Sequence, residues 1–269
     1  WAIDLLSLES DDWQYILGRA LQEKRYDLIH GLNITYFSRV LSVFPDMAQL
    51  PLLLTTTGTD VNYDIQSGSK PGITATLNTV KYIVIFDDYF RAVFQRLYPD
   101  QAAKLITIPQ GVSLEKNAGP GRSQLGLKDN DFVFILPSGL RPVKNLEFAI
   151  DALEKLQPEF SDLRLLILGA VIDREYSDSI QKRIQSLPWV IYPGEFPHDQ
   201  MYTMMARADV VLNTSHSEGQ PQAALEAMSL GKPCLLTAVP GNLNIIENGR
   251  EGYYVRNQAD MIAAARTLI

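Results

Sequence analysis

Along the chain, short runs of β-branched and leucine-rich positions alternate with longer segments in which apolar residues recur at helical spacing. That alternation is how parallel strands joined by crossover helices look in sequence. The pattern predicts a helix near Asp11–Arg25, a strand at Asp27–Gly31, a helix over Ile34–Val43 and a strand at Leu52–Thr57. A polar, glycine-containing segment, Gly58–Gly72, then gives way to a short helix, a strand at Tyr82–Phe86, a helix over Tyr89–Leu97 and a strand at Lys104–Ile108.

Ser113–Arg122 is polar, glycine-rich and without apolar periodicity, so it reads as a linker. After it, strands are expected at Phe132–Pro137, Leu163–Leu168, Val190–Tyr192, Val210–Asn213 and Pro233–Thr237. They alternate with helices over Asn145–Leu156, Tyr176–Ser186, Asp199–Ala208 and Pro221–Leu230. A strand near Gly252–Val255 and a helix over Gln258–Leu268 complete the pattern. The fold class is α/β throughout. The expected division is residues 1–111 as one α/β domain and 112–269 as a second. The chain opens on Trp1, with no signal-like stretch, and ends inside a helical pattern, so further residues are expected at both ends.

Composition narrows the function classes. Of 269 residues, 46% are hydrophobic and 20% charged, which suits a packed core and excludes disorder as a global description. The net charge of −7 argues against a nucleic acid as partner, although an acceptor at the surface of a membrane stays open. The single cysteine, Cys234, reads as a buried strand residue, and a cytoplasmic setting is expected.

Two loops could carry chemistry. Ser217–Met228, SEGQPQAALEAM, follows a strand and opens a helix. Parallel sheets bind ligands at the carboxyl ends of their strands, where helix N-termini present unpaired N–H groups to anions. Glu218 stands there, and as a carboxylate it can accept from two adjacent sugar hydroxyls. Glu226 lies about two turns on, among Ala223, Ala224, Leu225, Ala227 and Met228, so it interrupts a stretch that reads as buried and needs a partner. A ribose diol would supply one. The second loop, Ser138–Asn145, SGLRPVKN, also follows a strand. Gly139 allows close backbone approach, and Arg141 and Lys144 offer two cations that suit a diphosphate. Taken singly, either glutamate or the basic pair could be a solvated surface feature.

On these residues the chain resembles the retaining nucleotide-sugar glycosyltransferases of family 4, which have the GT-B fold of two Rossmann-like parallel-sheet domains. The spaced glutamates, the turn Gly231-Lys232-Pro233, the loop Pro240-Gly241-Asn242, the basic pair and a glycine after a short strand, Gly194, all have counterparts in that family. The likeness spans roughly Gln110–Val255; DLIHGLN at Asp27–Asn33 and TTTGTD at Thr55–Asp60 resemble later strands of the family's acceptor domain, so the N-terminal domain is expected to be incomplete. The resemblance implies transfer of a hexose from a nucleoside-diphosphate sugar, such as a UDP-sugar, to an acceptor with retention of configuration. It implies no cofactor and no metal. Catalytic roles fall on Arg141, Lys144 and Glu218; donor contacts on Gly139, Gly194, Glu195, Ser217, Gly219, Gln220, Gln222, Ala223 and Glu226; acceptor-side positions on Gly58, Thr59 and Asp60.

Three positions depart from the family. Thr57 stands where many relatives have histidine, Pro221 replaces a glycine whose N–H often binds the donor, and Asn244 replaces an acid. A nucleotide-sugar-binding module without activity and a GT-B epimerase are the alternatives. Asp129-Asn130-Asp131 has the spacing of a metal-binding acidic motif, but it precedes its strand and reads as a surface turn. His30 is expected to close a strand, His198 and His216 lack metal-ligand spacing, and His216 could touch the donor.

Overall fold

A computed structural model describes residues 2–67, 72–112 and 118–269, so part of the expected linker lies outside the described residues. The chain forms two compact units, Trp1–Pro109 and Gln110–Ile269. In the first, strands β1 (Ile29–Leu32), β2 (Leu52–Thr55), β3 (Tyr82–Ile85) and β4 (Leu105–Thr107) form a parallel sheet in chain order. Helices α1 (Trp13–Glu23), α2 (Ile34–Val43), α3 (Ile73–Thr79) and α4 (Asp88–Leu97) accompany the strands. The core joins Ile34 and Phe37 of α2, Leu54, Ile83, and Phe90 and Phe94 of α4. Helix α2 begins where it does because Asn33, at φ 65°, accepts from Thr35 N and Tyr36 N through its side chain. Asp87 caps α4 in the same way, through Phe90 N.

Residues 58–67 are more regular than their polarity suggests, and 68–71 of the same polar segment lie outside the described residues. Residues Asp60–Ile65 make a wide helical turn whose Val61 and Ile65, four positions apart, are both buried. Asp60 is fully buried, and its carboxylate accepts from Ile34 N, Thr57 N, Thr57 Oγ1 and Val61 N at 2.7–3.1 Å. Thr57 Oγ1 in turn accepts from Asn33 Nδ2 at 2.9 Å. A side chain so enclosed and saturated does not meet an acceptor molecule, which corrects the reading of Asp60 as an acceptor-side contact. It clamps the end of β2 to the start of α2. His30 lies inside β1 rather than closing it, with Nε2 2.7 Å from Thr55 Oγ1.

In the second unit β5 (Phe132–Pro137), β6 (Leu163–Leu168), β7 (Val190–Ile191), β8 (Val210–Asn213), β9 (Cys234–Thr237) and β10 (Gly252–Val255) form a parallel sheet. The order is β10-β9-β8-β5-β6-β7. Helices α5 (Leu146–Glu154), α6 (Arg174–Ile184), α7 (Met201–Ala206), α8 (Gln222–Ser229) and α9 (Gln258–Leu268) connect or follow the strands. Alternate residues of β5 face opposite cores: Phe134 and Leu136 pack in a cluster with α5 and α9, Val133 and Ile135 in one with α7 and α8. Burial on both faces explains why these strands read as continuous apolar runs. Asp129 and Asn130 form the expected exposed turn, but Asp131 is buried. Its carboxylate is buried against Arg164 at 3.0 Å and accepts from Lys128 N at 2.7 Å.

The order of this sheet positions the chemistry. β5 pairs with β6 on one side and, out of sequence, with β8 on the other. At such a reversal the loops leaving two neighbouring strands diverge to opposite faces and open a crevice outside the carboxyl ends. Ser138–Asn145 leaves β5 there, and Thr214–Pro221 leaves β8.

Burial pushes the Asp60 carboxyl up to about 6, outweighing the hydrogen bonds that pull it down. The folded chain therefore holds this proton to higher pH than the unfolded one, so the stabilisation is complete below 3.8, the ordinary value, and is lost as pH rises through about 6. Across that window wild type should lose up to about 3 kcal/mol relative to Asp60→Asn. Denaturant unfolding of both proteins at pH 4, 5, 6 and 7 measures it, and a constant difference would refute the assignment.

Candidate functional site

The loop after β5 is shaped by short, local devices. Pro142–Lys144 forms a single 3-10 turn, and Asn145, at φ 49°, breaks it from α5. Asparagine tolerates that left-handed conformation better than most residues. The turn is stitched to the loop after β8, because His216 N donates to Val143 O at 2.8 Å and Thr214 Oγ1 donates to Lys144 O at 3.1 Å.

Lys144 and Glu218 meet across the crevice. Lys144 Nζ donates to Glu218 Oε1 at 2.6 Å, and the two side chains are only 18% and 10% exposed. The same Oε1 accepts from Ser215 Oγ at 2.6 Å and Asn213 Nδ2 at 2.9 Å. Burial alone would raise the Glu218 carboxyl. The ammonium of Lys144 and the hydrogen bonds of Lys144, Ser215 and Asn213 reverse that and hold it below the usual carboxylate range. A small polar niche at the ends of β5 and β8 is lined by Ser138, Lys144, Asn213, Thr214 and Ser215.

Behind this pair, neutral groups from β9 and the loop after it hydrogen-bond to Asn213 and Ser215. Asn242, fully buried, donates through Nδ2 to Thr237 O at 2.8 Å, to Asn213 Oδ1 at 3.2 Å and to Thr237 Oγ1 at 3.3 Å. Thr237 Oγ1 donates to Ser215 O at 2.6 Å, and Ser215 N donates to Asn213 Oδ1 at 3.2 Å. Gly241 packs so closely that a Cβ there would stand 2.2 Å from Glu218 O.

Helix α8 begins at Gln222 after Pro221, and the N–H groups of its first turn, Gln222 and Ala223 among them, have no acceptor within the helix. Glu226 is 4% exposed, and its Oε1 has no hydrogen-bond partner among the described residues. His198 Nε2 stands 3.5 Å from it. Burial raises the Glu226 carboxyl, an effect reduced by His198 and by a hydrogen bond with Gln222.

Arg141, Lys144, Ser217, Glu218 and Gly219 lie on the two stitched loops. Arg141 is exposed. Gly139 approaches the Ile172 side chain, where a Cβ would be 2.8 Å from Cγ1. Gly194 takes φ +97°, and Glu195 beside it is exposed. The side chains of Gln220 and Gln222 are engaged elsewhere: Gln110 N donates to Gln220 Oε1 at 2.6 Å and Gln222 Nε2 donates to Gly111 O at 3.2 Å. Asn213, Ser215, Thr237 and Asn242 were missed as site residues. The sign of Asn213 and Ser215 is the polar run Asn213–Ser217 straight after an apolar strand, Asn242 stands in the loop Pro240-Gly241-Asn242 that the resemblance marks, and Thr237 closes an apolar run. Among the described residues no group of three or more His, Cys, Asp or Glu side chains could hold a metal, and no helix is long and apolar enough to cross a membrane.

Residues 120–269 match the family Glycosyl transferases group 1. The chain belongs to this family. Curated relatives include glycosyltransferase 1 domain-containing protein 1 of Xenopus tropicalis, 24% identical over 220 residues, which cover 79% of this chain and 64% of the relative. Another is the UDP-Gal:alpha-D-GlcNAc-diphosphoundecaprenol alpha-1,3-galactosyltransferase of Escherichia coli, 26% identical over 263 residues, covering 89% of this chain and 65% of the relative. The chain thus spans about two thirds of the length of these relatives. Among solved structures, Anabaena HepE in complex with UDP and glucose superposes with a TM-score of 0.77 at 22% identity, covering 95% of this chain and 71% of HepE. The fold is GT-B, and both parallel-sheet units have the α/β character expected of it.

The contact between Gly241 and Glu218 O makes a testable demand. Gly241→Ala must shift the Glu218 loop and should cost at least about 3 kcal/mol of stability. Gly194→Ala, strained in φ but with nothing within 4 Å, should cost about 1–2 kcal/mol. Denaturant midpoints of the two variants decide it, and equal losses would contradict the packing.

Proposed function

We propose that the chain is a family 4 glycosyltransferase that moves a hexose from a nucleoside-diphosphate sugar to an acceptor with retention of anomeric configuration. The observation that carries this reading is the Lys144–Glu218 contact at the reversal of the second sheet, beside the start of α8 and with Glu226 about one turn along it. A family in which the Escherichia coli relative is a UDP-Gal transferase, and a fold in which HepE binds UDP and glucose, support a UDP-sugar as donor.

In the proposed reaction the bond from the sugar's anomeric carbon to the β-phosphate oxygen breaks. The acceptor oxygen bonds to that carbon on the same face, and its proton leaves with the departing phosphate. Negative charge builds on the diphosphate as this happens. Lys144, Arg141 and the first N–H groups of α8 supply the opposing charge, so the reaction needs no metal to balance it. Gly139, Gly219 and the backbone at Ser217–Ala223 let the diphosphate approach, Glu218 orients the sugar through its hydroxyls, and Glu226 accepts from the ribose diol. The unpartnered Oε1 of Glu226 supports the last role, since a buried carboxylate oxygen is costly until a donor reaches it. The backbone at Gly194 and Glu195 would flank the base. Gly58 and Thr59, on the loop that Asp60 clamps, are the proposed acceptor-side contacts.

Removing one charge-stabilising donor from a dry site costs about 2.7–4 kcal/mol of transition-state stabilisation. Lys144→Ala should therefore lower the transfer rate about 100- to 1,000-fold while weakening donor binding far less. Glu226→Ala should do the reverse, weakening nucleoside-diphosphate binding about tenfold with a smaller loss of turnover. Calorimetry with UDP and a transfer assay with UDP-sugars read both on the full chain. Unchanged turnover in Lys144→Ala would reject the site, and binding without any transfer by wild type would leave a binding module instead.

A further inference from the structure

Asn242 lies two hydrogen bonds behind Glu218 and is too deeply buried to touch a donor. Its amide nevertheless decides how the front of the site is arranged. Asn213 can present either its NH2 or its carbonyl oxygen to Glu218 by a flip of its side chain, and only the NH2 suits a carboxylate. Asn242 Nδ2 and Ser215 N both donate to Asn213 Oδ1, which leaves Asn213 Nδ2 aimed at Glu218 Oε1. The other two acceptors of Asn242 Nδ2, both on Thr237, fix the Asn242 amide in turn, so its own flip is disfavoured. Gly241, immediately before it, rests against the Glu218 backbone.

We infer that Asn242 is a positioning residue for transfer: through Asn213 it fixes the hydrogen-bond polarity around Glu218, and hence the placing of Lys144 on the diphosphate. This rests on the reading of Lys144 and Glu218 given above. An aspartate at 242 would face three oxygens. The Thr237 hydroxyl can turn to donate to it, but Asn213 Oδ1 cannot, and Asn213 relieves that contact by turning its NH2 to the new carboxylate and its oxygen to Glu218, where two acceptors would then confront each other. The ionised group against Glu218 is Lys144, and its neutral donors are Asn213 and Ser215.

The test is a double-mutant cycle with a titration. Asn242→Ala should lower kcat about tenfold with the donor KM within about twofold, and Asn242→Asp should lower it further. Asn213→Ala/Asn242→Ala should be no slower than Asn213→Ala alone, because the second change acts through the first. The Glu218 carboxyl, followed by 13C NMR on the full chain, should titrate at higher pH in Asn242→Asp than in wild type. Should the aspartate variant not fold, the Glu218 titration is read in Asn242→Ala, which removes the donor to Asn213 Oδ1. Losses that multiply in the double variant, or a Glu218 titration unmoved by Asn242 substitution, would overturn the inference. If instead Lys144→Ala retains full transfer, the site reading fails on its own, and the Glu218 titration still decides what Asn242 does.

Discussion

A buried ion pair, Lys144 with Glu218, is the contact on which the rest of the second unit's chemistry depends. Neither charge could be kept in a poorly hydrated crevice alone, since an uncompensated buried charge costs several kcal/mol. Their mutual attraction does not suffice either, because the carboxylate needs further donors for its lone pairs. Ser215 and Asn213 supply them, and their own orientation is fixed from behind by Thr237 and Asn242. Carboxyl ends of β5, β8 and β9 are thereby drawn into one hydrogen-bonded ring. A site built this way holds its charges in place before a ligand arrives, so little reorganisation is left for the moment when a leaving group becomes negative.

That ring is possible only because of the sheet order. In a sheet wound strictly in sequence, the loops after β5 and β8 would be separated by two strands. Pairing β5 directly with β8 makes them neighbours, although Lys144 and Glu218 are 74 positions apart in the chain. The apolar runs that bury both faces of these strands thus do two things. They supply the hydrophobic driving force for the layers, and they set the register that brings a lysine and a glutamate within 2.6 Å. The first unit shows the same economy on a smaller scale, with the buried Asp60 tying a loop to the start of α2.

Much of this was legible beforehand, for physical reasons. Phe132–Pro137, Leu163–Leu168, Val210–Asn213 and Gly252–Val255 are strands at the bounds their apolar runs predict, and Ile34–Val43 and Gln258–Leu268 are helices at theirs. Burial of Glu226 was likewise readable, because the residues around it leave no polar face for it to occupy. Other features leave no periodic trace. The turn at Asp60–Ile65 hides its buried Val61 and Ile65 among polar neighbours. The expected surface turn forms at Asp129 and Asn130, but Asp131 is buried, because its partner, Arg164, lies on another strand. Amide networks such as Asn213 with Asn242 depend on which way a side chain points, which spacing does not encode.

Under the proposed function, the crevice at the reversal between β5 and β8 grips an activated sugar by its diphosphate. A crystal structure of the full chain with a UDP-sugar tests it most directly. The account predicts the diphosphate within hydrogen-bond distance of Lys144 Nζ and of the first N–H groups of α8, with the ribose diol on Glu226. A nucleotide seated elsewhere, or a diphosphate out of reach of Lys144, would contradict it.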